Sequence, residues 1–307
     1  MILYLIKRII RIIPILIGVI IIIFLIFKLI PGDQAVLLAG PESTQEEIDN
    51  LRNQLGLDKA IIIQLYTHLI NIISGDFGYS TIYQGSPLIP ILKRIPATLS
   101  LTFCAILLTI IIGISGGIIA ALFYNTTIDY TITLSLITLL AVPNFWIGLL
   151  LISYLSVEMG LLPSFGFGGF MSLIMPTLAL SARLIAIVAR MTRGVVLDEL
   201  EKDYVRTAYS KGLSTYKVIS RHVLRNAMIP TITIIGLETG YLLGGSVVIE
   251  RLFAWPGIGD LMMNAIGMRD YTLVQGIVII FVIGFLLINL TVDVMYHFLN
   301  PRIEFDE

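Results

Sequence analysis

The chain has 307 residues, 57% hydrophobic and 13% charged, with a net charge of −1 and a mean hydropathy of +0.93. A water-soluble domain carries roughly 25% charged residues, so a soluble globular fold is excluded, and the near-neutral balance gives no support for a nucleic-acid partner. A single cysteine, Cys104, excludes a disulfide framework within the chain.

The first apolar run, Ile12–Ile30, holds one charge, Lys28, and approaches the roughly 20 residues that cross a hydrocarbon core as a helix. Lys7, Arg8 and Arg11 before it resemble the start of a signal peptide. The run exceeds the usual ~7–15 residues, however, and Lys28–Leu29–Ile30–Pro31 is no cleavage site, so a retained span is expected. Lys28, close to its end, can snorkel to the headgroups. Residues 31–95 then form an acidic extracytoplasmic segment. Within it Ser43–Leu57 reads as a helix over the outer mouth, with Ser43 or Thr44 as N-cap, Glu46 and Glu47 in the first turn and Gly56 near its end.

Further spans are predicted at Thr98–Phe123, Thr131–Leu155, Leu173–Met191, Ile229–Ile249 and Leu273–Phe298. Pro143 and Pro176 interrupt the third and fourth, which a membrane helix tolerates where neighbours satisfy the freed carbonyl. The expected fold is all-α: one polytopic domain of six transmembrane helices over residues 1–307. Gly113–Gly117 and Gly240–Gly244 have the small-xxx-small spacing of helix-packing pairs.

Lys and Arg set the orientation. Arg190, Arg193, Lys202, Arg206, Lys211, Lys217, Arg221 and Arg225 crowd the segment between spans four and five, and the N-terminal tail is also basic. Both termini and the 190–228 loop are therefore expected in the cytoplasm. Lys93 and Arg94 on the outer side, and a turn at Tyr124–Tyr130 without Lys or Arg, depart from the rule.

In that loop a helix-compatible stretch ends at Gly212, a natural left-handed stop. Ser214 is placed to cap a second helix running toward Arg225. Tyr216, Ile219, Val223 and Ala227 repeat at helical spacing as an apolar stripe, with Lys217, Arg221 and Arg225 as a basic one. Such a helix either rests on anionic lipid or docks a cytoplasmic protein.

Ionisable groups inside spans face cavities or partners. Glu238, in G-L-E-T-G-Y with Gly240 and Gly244 behind it, either lines a translocation path and meets cationic cargo or pairs with a neighbouring helix. Arg183 and Asp293 are expected to pair structurally. Trp255–Pro256–Gly257 reads as an interfacial aromatic anchor with a turn, or as a short gating segment at the outer mouth. His68, His222 and His297 are dispersed and form no metal-ligand pattern, and no G-K-S/T phosphate loop occurs, so no catalytic residue is assigned.

The wording D-Y-V-R-T-A-x-x-K-G-L (Asp203–Leu213), R-H-V-L-R-N-A-x-I-P (Arg221–Pro230) and F-A-W-P-G-I-G (Phe253–Gly259) resembles ABC importer permeases of the dipeptide/oligopeptide/nickel subfamily. So do I-P-G-D around Pro31, Leu55–Asp58, Gly75–Ser80, Arg94–Leu99 and Asn300–Arg302, which extends the likeness over nearly the whole chain. Ala208, Gly212 and Leu224 match the EAA loop of such permeases, while Arg206–Thr207 and His222 depart from it.

The resemblance implies a subunit of the bacterial cytoplasmic membrane that binds no cofactor itself. ATP and Mg would sit on two partner ATPases, docked by Ala208, Gly212, Leu213, Tyr216, Lys217, Arg221, His222, Leu224 and Arg225. It also implies a homologous second permease, an extracytoplasmic substrate-binding protein, a path through Glu238, Gly240 and Gly244, and an outer gate at Trp255, Pro256 and Gly257. A short peptide of the dipeptide, oligopeptide or glutathione class is the expected cargo. Val142–Trp146 and Gly166–Gly169 look as much like nickel or metal-chelate members. A secondary transporter would need inverted repeats and paired broken helices, and an intramembrane enzyme would need a constellation absent from the sequence.

Overall fold

A computed structural model describes residues 2–29, 34–40 and 43–299. Pro31, Asp33, Glu42 and Asn300–Arg302 lie outside the described residues, as do the side chains of Lys7, Arg8, Asp293 and His297. The described residues are helical apart from turns and a single antiparallel bridge between Ser80 and Gly85. Among the described residues five helices are long and apolar enough to cross a membrane, and a sixth crossing results if one bent pair is counted. The chain divides into two compact units: one runs to Lys93 and includes Leu261–Leu286, the other covers Arg94–Asp260 and resumes at Leu287.

In the first unit, α1 (Ile2–Leu29) is the first span, and α2 (Gln34–Ala39) and α3 (Gln45–Gln54) follow. The N-cap of α3 is Thr44, in a reciprocal capping box with Glu47, so the shorter of the two predicted starts is the observed one. Gly56, at φ +66, follows the helix end. The predicted hydrophilic segment also contains an apolar helix, α4 (Ile61–Ile73). Its Leu69 and Ile72 pack against Ile20 and Ile23 of α1 and against Ile279.

The Gly75–Ser80 motif forms a turn with positive φ at Gly75 and Gly78. It is fastened by Asp270, whose carboxylate accepts from Ser80 Oγ (2.6 Å) and from the Ile82 and Leu273 amides. The Gly75–Ser80 phrase and the sequence-distant turn at Asp270 are thus parts of one joint.

The second span begins as α5 (Leu88–Thr109), passes through a π turn at Ile110–Ile114 and ends as α6 (Ser115–Leu122). At the centre of the second unit lies α9 (Phe170–Leu200), which buries Met175, Ala179, Leu180, Ala186, Val188 and Ala189 among others. Lipid tails are as apolar as leucine, so helices here associate through close packing. A Cβ on Gly117 would stand 2.5 Å from Ala189 O and 2.6 Å from Thr192 Cβ, and one on Gly113 3.1 Å from Val188. The Gly113–Gly117 pair therefore brings α6 onto α9, as its spacing predicts. Gly244 behaves differently: a Cβ there would meet nothing within 4 Å.

The third predicted span, Thr131–Leu155, is two helices. α7 (Thr127–Ala141) and α8 (Asn144–Leu151, continued by a π segment Ile152–Glu158) are bent by 105° at the break. The cause is local. Pro143 disfavours the helical region for its predecessor, and Val142 adopts φ −94, ψ 128. Pro176, by contrast, does not interrupt α9. Between them, α7 is anchored by Asp129, which takes a bidentate bond from Arg193 (2.7 and 2.8 Å) and a third from the Asn125 amide. The turn without basic residues thus borrows its cation from α9.

The remaining helices are α10 (Asp203–Ser210), α11 (Thr215–Val218), α12 (Leu224–Leu252), α13 (Ile258–Gly267) and α14 (Tyr271–Leu299).

Candidate coupling surface and transport path

The 190–228 loop is a rigid bracket. α10 ends in a Schellman arrangement: the Gly212 amide donates to Tyr209 O (2.9 Å) and the Leu213 amide to Ala208 O (3.4 Å), with Gly212 at φ +76. At the other end of α10, Glu199 accepts from Lys202 Nζ and from the Tyr204 hydroxyl, which in turn accepts from Asn226 Nδ2 at 3.1 Å. Burial pushes the Tyr204 hydroxyl up, which keeps it a proton donor, and the Glu199 hydrogen bond raises the Lys202 ammonium. The end of α9, α10 and α12 are thereby tied together.

Two sequence expectations need correction here. The helix starting after Ser214 does not stop near Arg225. It runs without a break from Thr215 to Leu252, through a π turn at Ile219–Val223, into the fifth span. Ser214 stands at its N-cap but makes no side-chain cap bond.

The predicted apolar stripe is also shifted. A π turn inserts one residue into the helical period, so Val218, Val223 and Ala227 are buried against Ala121, Val196, Val205 and Ala208. Tyr216 is displaced outward and is 81% exposed. Tyr216, Lys217, Arg221 and Arg225 are all exposed. Ala208 is buried, and Leu213, His222 and Leu224 are half-buried; they support that face from behind.

In the fifth span, Glu238 faces Arg183 of α9 at 4.0 Å, with the Arg183 side chain 56% exposed and that of Glu238 19%. Of the two readings of Glu238, the structure provides the neighbouring-helix partner, and the same pairing accounts for Arg183. Arg183 also lines a cleft of about 380 Å³ at the α7–α8 bend, with Val142–Phe145, Gly245 and Val248. Gly240 is buried.

Trp255 is 3% exposed, inside the core of the second unit, and its Nε1 donates to Ala97 O at 2.9 Å. The expectation of a membrane-interface anchor is therefore corrected, because the ring packs on protein and crosses Phe167 edge-on. The reason is Glu250, a residue the sequence reading passed over. Its buried carboxylate accepts from Thr98 Oγ1 (2.8 Å), the Gly259 amide (2.7 Å) and the Asp260 amide (3.2 Å), and Thr98 in turn accepts from the Ile258 amide (2.8 Å). A Cβ on Gly257 would fall 2.2 Å from that carboxylate. The chain must fold tightly over Glu250, and this joins the Arg94–Leu99 and Phe253–Gly259 phrases. A signal did exist: Pro256, Gly257 and Gly259 follow six to nine residues after an acid at a span's end. Among the described residues no cluster of His, Cys, Asp or Glu could hold a metal ion.

A bundle of apolar helices, a rigid loop with an exposed aromatic and basic face, and paired charges within the spans define a membrane permease. A family model described as the binding-protein-dependent transport system inner membrane component matches residues 113–305, and a second, for the N-terminal part of such membrane components, matches residues 1–102. The chain belongs to this family: it is a multi-pass inner-membrane permease of the ABC importers, in the peptide/nickel subfamily.

It is 41% identical over 302 residues, 98% of this chain and 99% of the relative, to the glutathione transport system permease protein GsiC of Escherichia coli (strain K12). The protein of that name from Shigella dysenteriae serotype 1 (strain Sd197) matches by the same measures. Among solved structures, the inward-facing MetNI methionine ABC transporter aligns with a TM-score of 0.60 at 17% identity, covering 69% of this chain and 97% of that one. An amino acid ABC transporter crystallised with histidines gives 0.53 at 16%, covering 68% and 94%. These two likenesses establish the fold alone.

Proposed function

We propose that this chain forms half of the translocation path of a binding-protein-dependent importer for short peptides of the glutathione class. A homologous second permease completes the path. Two ATPases dock on Tyr216, Lys217, Arg221 and Arg225 from the cytoplasm, a substrate-binding protein docks outside, and membrane lipid surrounds the spans. This chain supplies no catalytic residue; ATP and Mg are handled by the ATPases. The observation that carries this reading is the unbroken helix Thr215–Leu252. Displacement of its exposed first turns by a closing ATPase pair is delivered directly to Glu238 and the Glu250 joint in the same helix.

Support for the cargo comes from the end-to-end similarity to glutathione permeases. An arginine in the cleft beside a carboxylate also suits zwitterionic peptides, since Arg183 can take a cargo carboxylate and Glu238 an ammonium group. Trp255, Pro256 and Gly257 close the far end of the path as part of the Glu250 joint.

The test is uptake by the full complex in proteoliposomes, with cognate ATPases and binding protein. Glutathione and dipeptides should accumulate only with ATP, and Arg183→Gln should lower uptake of peptides with a free C-terminal carboxylate more than that of amidated ones. ATP-driven uptake of a nickel chelate with no peptide uptake would replace the cargo assignment, and uptake without ATPases would overturn the mechanism.

A further inference from the structure

We propose that the first unit carries a binding site for an anionic phospholipid headgroup, of the phosphatidylglycerol type, in the cavity enclosed by α1, α3, α4 and the start of α14.

α4 sets the depth of this cavity. Its thirteen residues reach about 20 Å, too short for a hydrocarbon core of about 30 Å. The helix has two distinct faces. Gln64, Thr67, His68 and Asn71, at the i, i+3, i+4, i+7 spacing of one face, line the cavity. The opposite face carries Ile62 (79% exposed), Tyr66 (66%) and Ile73 (78%). An apolar face of this kind lies in the acyl region and leaves the polar face level with the headgroups. α1 fixes the same level independently, since α4 packs beside its Ile20 and Ile23 and Lys28 stands at its last turn.

At that level the cavity, of about 560 Å³, presents Lys28, Arg52 and Lys59 against the single acid Asp76. Lys28 lies over the Phe24 ring at 5.8 Å, and Arg52 pairs with Asp49. Among the described residues neither Lys28 nor Lys59 is within salt-bridge distance of a carboxylate. Two ammonium groups around a roomy pocket at headgroup depth suit a phosphate diester. Asn71 and Tyr271, also on the wall, suit the glycerol hydroxyls, and the acyl chains remain in the bilayer.

The experiment uses the whole purified complex, delipidated and placed in phosphatidylcholine nanodiscs with added phosphatidylglycerol, with added phosphatidylethanolamine, or with soluble glycerol 3-phosphate. Retained lipid is counted by native mass spectrometry and the melting temperature is recorded. Phosphatidylglycerol should be retained in preference to phosphatidylethanolamine and should raise the melting temperature. Lys28→Gln with Lys59→Gln should cut its retention by about thirtyfold, at roughly one kcal/mol per cation near the surface. Lys93→Gln should not, and Lys28→Arg with Lys59→Arg should preserve it. Equal retention of the two lipids by the unmodified complex overturns the proposal even if the variants fail to assemble. So does unchanged retention in the double Gln variant. Equal stabilisation by glycerol 3-phosphate would make this a site for a free anion instead.

Discussion

Glu250 illustrates how a single side chain organises its neighbourhood. Buried carboxylates are tolerated only when hydrogen-bonded, and this one is met by a threonine hydroxyl and two backbone amides. The absence of a side chain at Gly257 is what allows them to approach. Gly257→Ala is therefore expected to destabilise the protein by about 1–3 kcal/mol, as overpacking does, while Gly244→Ala, with nothing within 4 Å, should leave thermal unfolding in detergent unchanged. Asp129→Asn should cost about 3 kcal/mol, because it strips the buried side of a bidentate pair with Arg193; the same unfolding measurement reports it. Legibility at this scale was uneven. Thr44 and Gly212 announced their roles because cap and left-handed positions admit few residue types. Glu250 did not, because an acid at a span's end looks like any solvated helix terminus, and its side-chain partner Thr98 is 152 residues away.

Among the elements, the π turn at Ile219–Val223 matters most. A period of 3.6 residues places Tyr216 with Val223 and Ala227, and the π turn at Ile219–Val223 moves it to the opposite side. Nothing in the local sequence declares such a turn, so the stripe was read in the wrong register while its existence was read correctly. The 105° bend in the third span was half legible: Pro143 marks it, but Pro176 looks equivalent and leaves α9 unbroken. α9 is extensively buried around and after Pro176, at Met175, Thr177, Ala179 and Leu180, where α7 is not around Pro143.

The register has a consequence for docking. Tyr216→Ala should weaken co-purification of the ATPase by more than 1 kcal/mol, about fivefold or more, as aromatic anchors do. Val218→Ala should instead lower the stability of the permease itself. Gly212→Ala forces a left-handed conformation on a residue with a Cβ at a cost of about 1–2 kcal/mol. It should reduce uptake while membrane insertion, followed by protease protection, stays intact.

For the molecule as a whole, composition and apolar runs sufficed to place the spans, because a bilayer leaves a chain few options beyond helices. What they could not reveal is that the basic helix of the 190–228 loop and the fifth span are one object, since the basic residues of Lys217–Arg225 look like a boundary. That continuity is the centre of the proposed mechanism. It is tested most directly by inserting two glycines after Leu224 in the assembled transporter and measuring peptide moved per ATP hydrolysed, with the same insertion after Gly160 as control. The expected result is sustained ATP hydrolysis with peptide transport per ATP reduced at least tenfold, and a control close to the unmodified ratio. An unchanged ratio in the Leu224 insertion would mean that motion reaches the path by another route.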